Sequence, residues 1–78
     1  MLKPDFLTDA TFKNFIDKLG KYDLLTSDCE LTFSQNMWAQ RAQTGALETV
    51  ISYDGIPTMI VYSKVGDGKI VGFRIETL

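Results

Sequence analysis

The sequence predicts an α+β domain: an N-terminal helix, followed by a second short helix, packed on a three-stranded antiparallel β-meander. Three observations carry that prediction. Phe12, Phe15, Ile16 and Leu19 recur at helical spacing. Residues 47–76 instead break into short runs rich in β-branched and aromatic side chains. Two glycine-bearing turns, Asp54-Gly55 and Val65-Gly66-Asp67-Gly68, separate those runs.

The first helix is expected over residues 9–19. Thr8 can accept a backbone hydrogen bond as its N-cap, and Leu7 and Phe12 then occupy the two positions that staple the first turn. Asp9 at the start and Lys18 at the end both suit the helix dipole, and Gly20 reads as the C-terminal stop. Beyond it, Cys29, Leu31 and Phe33 alternate with Glu30 and Thr32, as in a short strand or an extended connector. Ser34 could cap a second helix running from Gln35 through Thr44, with Gly45 as its stop and Phe33 and Trp38 as its staple. The competing reading makes 36–44 a strand paired with 46–53.

In the meander, a two-residue turn at Asp54-Gly55 sets Tyr53 opposite Ile56, Ile51 opposite Thr58 and Val50 opposite Met59. The second turn can lie on Gly66-Asp67 or on Asp67-Gly68, and both choices keep the same parity. One face then carries Leu47, Ile51, Tyr53, Ile60, Tyr62, Val71, Phe73 and Ile75, and is expected to lie under the helix. The other carries Glu48, Val50, Ser52, Pro57, Met59, Val61, Ile70, Gly72, Arg74 and Glu76. On that second face Val50, Met59, Val61 and Ile70 form an apolar patch edged by charges, where a solvated face would be mostly polar.

Bulk composition narrows the chemistry. The chain has 78 residues and a formal charge of −2, with 45% hydrophobic residues, as expected of one globular domain covering 1–78. The acidic excess falls in residues 1–33, and no polybasic footprint for nucleic acid is present. The aromatic residues Tyr53, Tyr62 and Phe73 could stack bases, but they share the face assigned to the helix. Histidine is absent and Cys29 is the only cysteine, so neither a zinc site nor an internal disulfide is expected. No apolar run long enough to span a bilayer occurs, and nothing at the N-terminus reads as a secretory leader, so the expected setting is the cytoplasm.

Candidate chemical groups read better as structure. Without histidine, Cys29 lacks the usual activating base and fits as a small apolar residue on an alternating strand. The acidic pairs Asp5/Asp9 and Asp28/Glu30 lie at turns and helix starts, where carboxylates cap and solubilise. Gly66-Asp67-Gly68 joins two strands rather than opening a helix, so it is a hairpin and not a phosphate loop. No catalytic residue, cofactor or metal is therefore assigned. Trp38 packs in the core or, on the sharper reading, anchors an interface together with Arg41.

By exclusion, the expected function is that of a non-enzymatic protein-binding module, an inhibitor or immunity-type protein that occupies a partner's surface. A phage-encoded inhibitor of a host defence complex fits the size and acidity, and an acidic surface would suit a basic partner. The residues expected to touch the partner are Trp38, Arg41, Val50, Met59, Val61, Ile70, Arg74 and Glu76. A homodimeric assembly subunit, with the Val50/Met59/Val61/Ile70 patch as its seam, is the alternative, and a small nucleic-acid binder ranks below it.

Overall fold

A computed structural model describes residues 3–35 and 45–78. Helix α1 (Asp9–Lys21) is followed by four strands: β1 (Cys29–Gln35), β2 (Gly45–Tyr53), β3 (Ile56–Gly66) and β4 (Lys69–Thr77). The strands pair antiparallel in chain order, so the sheet is a simple meander with β1 and β4 at its edges. The expected α+β class holds with four strands instead of three. Ser34 and Gln35, assigned above to a second helix, belong to β1 and pair with Glu48 and Leu47. The rest of that expected helix, including Trp38 and Arg41, lies outside the described residues.

The start of α1 follows from its sequence. Thr8 is the N-cap, its hydroxyl accepting from the Thr11 N–H at 3.1 Å. Leu7, the residue before the cap, is buried, and Phe12 packs against the same core. The end differs from expectation. The helix runs through Gly20 to Lys21, and Asp23, at φ 55°, takes the left-handed position that terminates it. The Leu24 N–H donates back to the Leu19 carbonyl and the Asp23 N–H to that of Gly20, each at 3.2 Å. This pattern satisfies carbonyls that a helix end would otherwise leave open, and it brings Leu24 onto Leu19.

The face α1 buries is also rotated. Thr11, Phe15 and Leu19 are its buried residues, whereas Phe12 and Ile16 are only partly covered. Thr11 explains the rotation. Its hydroxyl accepts from Thr8 and donates to the carbonyl of Gly68, in the turn between β3 and β4. The Asn14 amide donates to the Ile70 carbonyl at 3.4 Å, a second tie at the start of β4. On the other flank, Phe12 and Phe15 meet Phe33 of β1 with ring centroids 5.9 and 5.8 Å apart. One helix thus spans the sheet from β1 to β4, and Phe15, Leu19, Leu47, Ile51 and Val61 form the sealed centre beneath it.

Two hydroxyls in that centre are unmatched. Thr49 and Ser63 are buried, yet among the described residues neither side chain has a hydrogen-bond partner. The same substitution should therefore have opposite signs at two threonines. Thr11→Val removes a satisfied link and orphans the Gly68 carbonyl, so it should lower stability by about 1–2 kcal/mol. Thr49→Val keeps the shape and discards an unpaired hydroxyl, so it should raise stability by about 1 kcal/mol. Urea unfolding followed by circular dichroism measures both, and equal signs would contradict this account of the core.

Candidate functional site

Two extra residues decide which side chains are available on the surface. Both hairpins turn on Asp-Gly, Asp54-Gly55 and Asp67-Gly68, with all four residues at positive φ as a type I′ turn requires. Around the first turn Tyr53 pairs with Ile56 and Ser52 with Pro57, as the sequence predicts. The next pair is Ile51 with Met59, which leaves Thr58 unpaired as a β-bulge. Because side chains alternate, this single insertion exchanges the two faces of β3. Past the second turn Val65 pairs with Ile70 and Lys64 with Gly72, so Val71 is a second bulge. The second insertion restores the parity for the rest of β4.

The expected faces are corrected accordingly. Leu47, Ile51, Tyr53, Phe73 and Ile75 lie on the helix side, as predicted. Ile60 and Tyr62 do not: they pair with Val50/Glu76 and Glu48/Arg74 on the open side. Val71, expected in the core, is 60% exposed. Conversely, Val61 and Ile70 are buried and Met59 packs against the core cluster. The Val50/Met59/Val61/Ile70 patch is therefore not a surface. Three of its four members lie under α1, and neither a partner nor a homodimer seam can use them.

In its place the open face presents a different set. Val50 and Ile60 are paired neighbours at its middle, and Tyr62 follows one step along β3. All three side chains are half-buried. The Arg74 guanidinium lies 4.6 Å from the centre of the Tyr62 ring and 3.1 Å from the Glu76 carboxylate. The ring, the guanidinium and the carboxylate form one row across β3 and β4. Of the eight residues expected at a partner contact, Val50, Arg74 and Glu76 remain on this face. Ile60 and Tyr62 were missed, because nothing in the sequence locates a one-residue bulge. Among the described residues no helix or strand crosses this face, since α1 lies on the other.

Other chemical groups stand apart from this row. The Cys29 sulfur accepts from the Thr26 N–H at 3.3 Å and its own N–H donates to the Thr26 carbonyl, so Cys29 closes the turn into β1. Asp28, Glu30, Tyr53, Asp54 and Gly55 line a shallow acidic cleft at one end of the sheet. Among the described residues, no group of three or more His, Cys, Asp or Glu side chains is placed to hold a metal ion. No helix among them is long and apolar enough to cross a membrane. No protein-family model matches the chain, nor does any curated protein or solved structure.

The bulge account can be tested without a partner. Deleting Thr58 removes the extra residue but leaves Met59 next to Pro57 and still opposite Ile51, so Met59 and Val61 stay inward and Ile60 and Tyr62 outward. The deletion should therefore leave thermal unfolding cooperative, with a stability change of no more than about 1–3 kcal/mol, whereas in an unbulged strand the same deletion would turn the apolar face outward and abolish it. A deletion variant that no longer unfolds cooperatively would refute it.

Proposed function

We propose that the protein works by binding rather than by catalysis, docking the open face of its sheet onto another protein as a small inhibitor or immunity-type protein does. The observation that carries this reading is the row of Val50, Ile60 and Tyr62, flanked by the Arg74 guanidinium. Tyrosine and arginine dominate the energetics of protein interfaces, and a ring stacked under a guanidinium loses little freedom on docking.

Charge refines the reading. On this side Glu30, Glu48 and Glu76 are offset by Lys64, Arg74 and, at the second turn, Lys69. The face is nearly balanced, so the chain's acidic excess lies elsewhere. Docking then rests on apolar fit and the arginine–carboxylate pair, and a strongly basic partner is not required. The sequence supports the non-catalytic side of the proposal: it lacks histidine, and its one cysteine is engaged in a turn. A phage-encoded inhibitor of a host complex is one setting that would fit a protein of this kind.

Replacing Ile60 with a photo-crosslinking phenylalanine analogue tests the proposal in the cells that make the protein. A discrete adduct of constant mass is expected at Ile60 and not at Asp17 on the outer side of α1. Adding Tyr62→Ala should then lower the adduct yield about tenfold or more while leaving the unfolding transition within a few degrees of the parent. Equal labelling from both positions, or none at Ile60, would count against the face as a docking site.

A further inference from the structure

We infer that the outer edge of β4 pairs with the same edge of a second copy of this chain, joining two four-stranded sheets into one. This contact is made by the backbone edge of the sheet, with Arg74 and Glu76 of the open face beside it, and it does not rest on the function proposed above.

Three observations lead to it. First, β4 is an edge strand, and among the described residues no strand lies beside it. α1 runs beside its first half: Thr11 and Asn14 bond to the Gly68 and Ile70 carbonyls, and the C-cap residue Tyr22 sets its ring 4.8 Å from that of Phe73. This leaves the outer backbone beyond Phe73 without a contact from α1 among the described residues. Second, three of the six exposed large apolar residues among the described ones lie here: Val71, Ile75 and Leu78 are 60%, 37% and 66% exposed. Third, the second half of the edge carries opposite charges at a two-residue spacing, Arg74 and Glu76, with side chains 67% and 47% exposed. Strand edges that avoid their own kind carry like charges or a lone lysine. This one is self-complementary.

The backbone fixes which register is available. The Leu78 N–H donates to the Thr58 carbonyl at 2.9 Å, and the pairing runs on through Thr77–Met59 and Glu76–Ile60. In an antiparallel ladder alternate residues turn their N–H and C=O to the same neighbour. Leu78, Glu76, Arg74 and Gly72 thus bond to β3, while Phe73, Ile75 and Thr77 point theirs away from the sheet. A two-fold axis at Ile75 brings those outward groups together: Ile75 pairs with its own copy, and Phe73 with Thr77 of the second copy. About six backbone hydrogen bonds result.

The same axis places Arg74 opposite Glu76 of the second copy, twice, in the pairs whose side chains approach most closely. It also sets Leu78 against Gly72 of the second copy, where an added Cβ would meet nothing within 4 Å. Other registers do worse. An axis at Arg74 opposes two arginines, and one at Glu76 opposes two glutamates. An axis at Phe73 leaves Arg74 facing glycine and Glu76 facing Ile70, whose carbonyl Asn14 already occupies. Only the axis at Ile75 satisfies backbone and charges together.

Sedimentation equilibrium on the intact chain, joined to charge reversal, tests the inference. The parent should show a monomer–dimer equilibrium. Arg74→Glu alone and Glu76→Arg alone should each weaken it about ten- to a hundredfold, since symmetry counts every pair twice. The combined Arg74→Glu/Glu76→Arg chain should recover the parental constant to within about threefold. Circular dichroism on each variant confirms that these exposed positions leave the fold intact. Amide exchange on the parent gives an independent reading: Phe73, Ile75 and Thr77 should become protected as concentration rises, while Arg74 and Glu76 are protected throughout. A chain that stays monomeric to about 1 mM overturns the inference. So does a dimer indifferent to the single reversals, one not restored by the double exchange, or protection that ignores concentration.

Discussion

The alternation of side chains along a strand is the constraint on which the molecule depends. A sheet covered on one side by a single helix has room for one apolar face, and strand parity selects it. Thr58 and Val71, each unpaired, reset that parity twice. The first shift takes Met59 and Val61 inward, and the second allows Ile70, Phe73 and Ile75 to share their side. Without the pair of shifts, β3 would present its aromatic and charged-neighbour side to α1, and the Tyr62–Arg74 stack could not form in water.

The helix is held to this sheet by contacts of two kinds at its two flanks. Toward β1 the contact is aromatic, through Phe12, Phe15 and Phe33. Toward β4 it is polar, through Thr11 and Asn14 to backbone carbonyls. Apolar burial supplies most of the stabilisation but is non-directional. The polar ties fix the rotation of α1, because a hydroxyl committed to Gly68 leaves only the 11/15/19 stripe to face the centre. Thr49 and Ser63 show the reverse case, hydroxyls enclosed with no such commitment.

Much of this was legible in the sequence, and the failures share one physical origin. The α1 cap at Thr8, the staple of Leu7 and Phe12, and the first Asp-Gly turn were all readable, because each depends on neighbours within a few residues. The alternation of Cys29, Leu31 and Phe33 suggested a short strand or an extended connector, though not its place as the first of four strands. What local signals cannot show is a bulge, since the identities of Thr58 and Val71 differ little from those of ordinary strand residues. One missed residue then inverted the faces of β3, turning Val61 from a core residue into an apparent docking residue and Tyr62 the other way. The burial of Thr11 was hidden for a related reason: a threonine on a helix gives no apolar signal, and its partner lies in a distant turn. The Asp23 terminus escaped because Gly20 offered the commoner stop.

The link between Thr11 and Gly68 has a bearing on how the chain is built. Every strand pairing joins consecutive elements, so hairpins can close one after another. Docking of α1 onto β4 instead joins positions 57 residues apart. During synthesis on the ribosome α1 emerges long before this anchor, and until Gly68 and Ile70 leave the exit tunnel the growing sheet can hold α1 only through its apolar contacts, such as those on Phe33. The nascent chain is thus most prone to stick to its neighbours while its last hairpin is still incomplete.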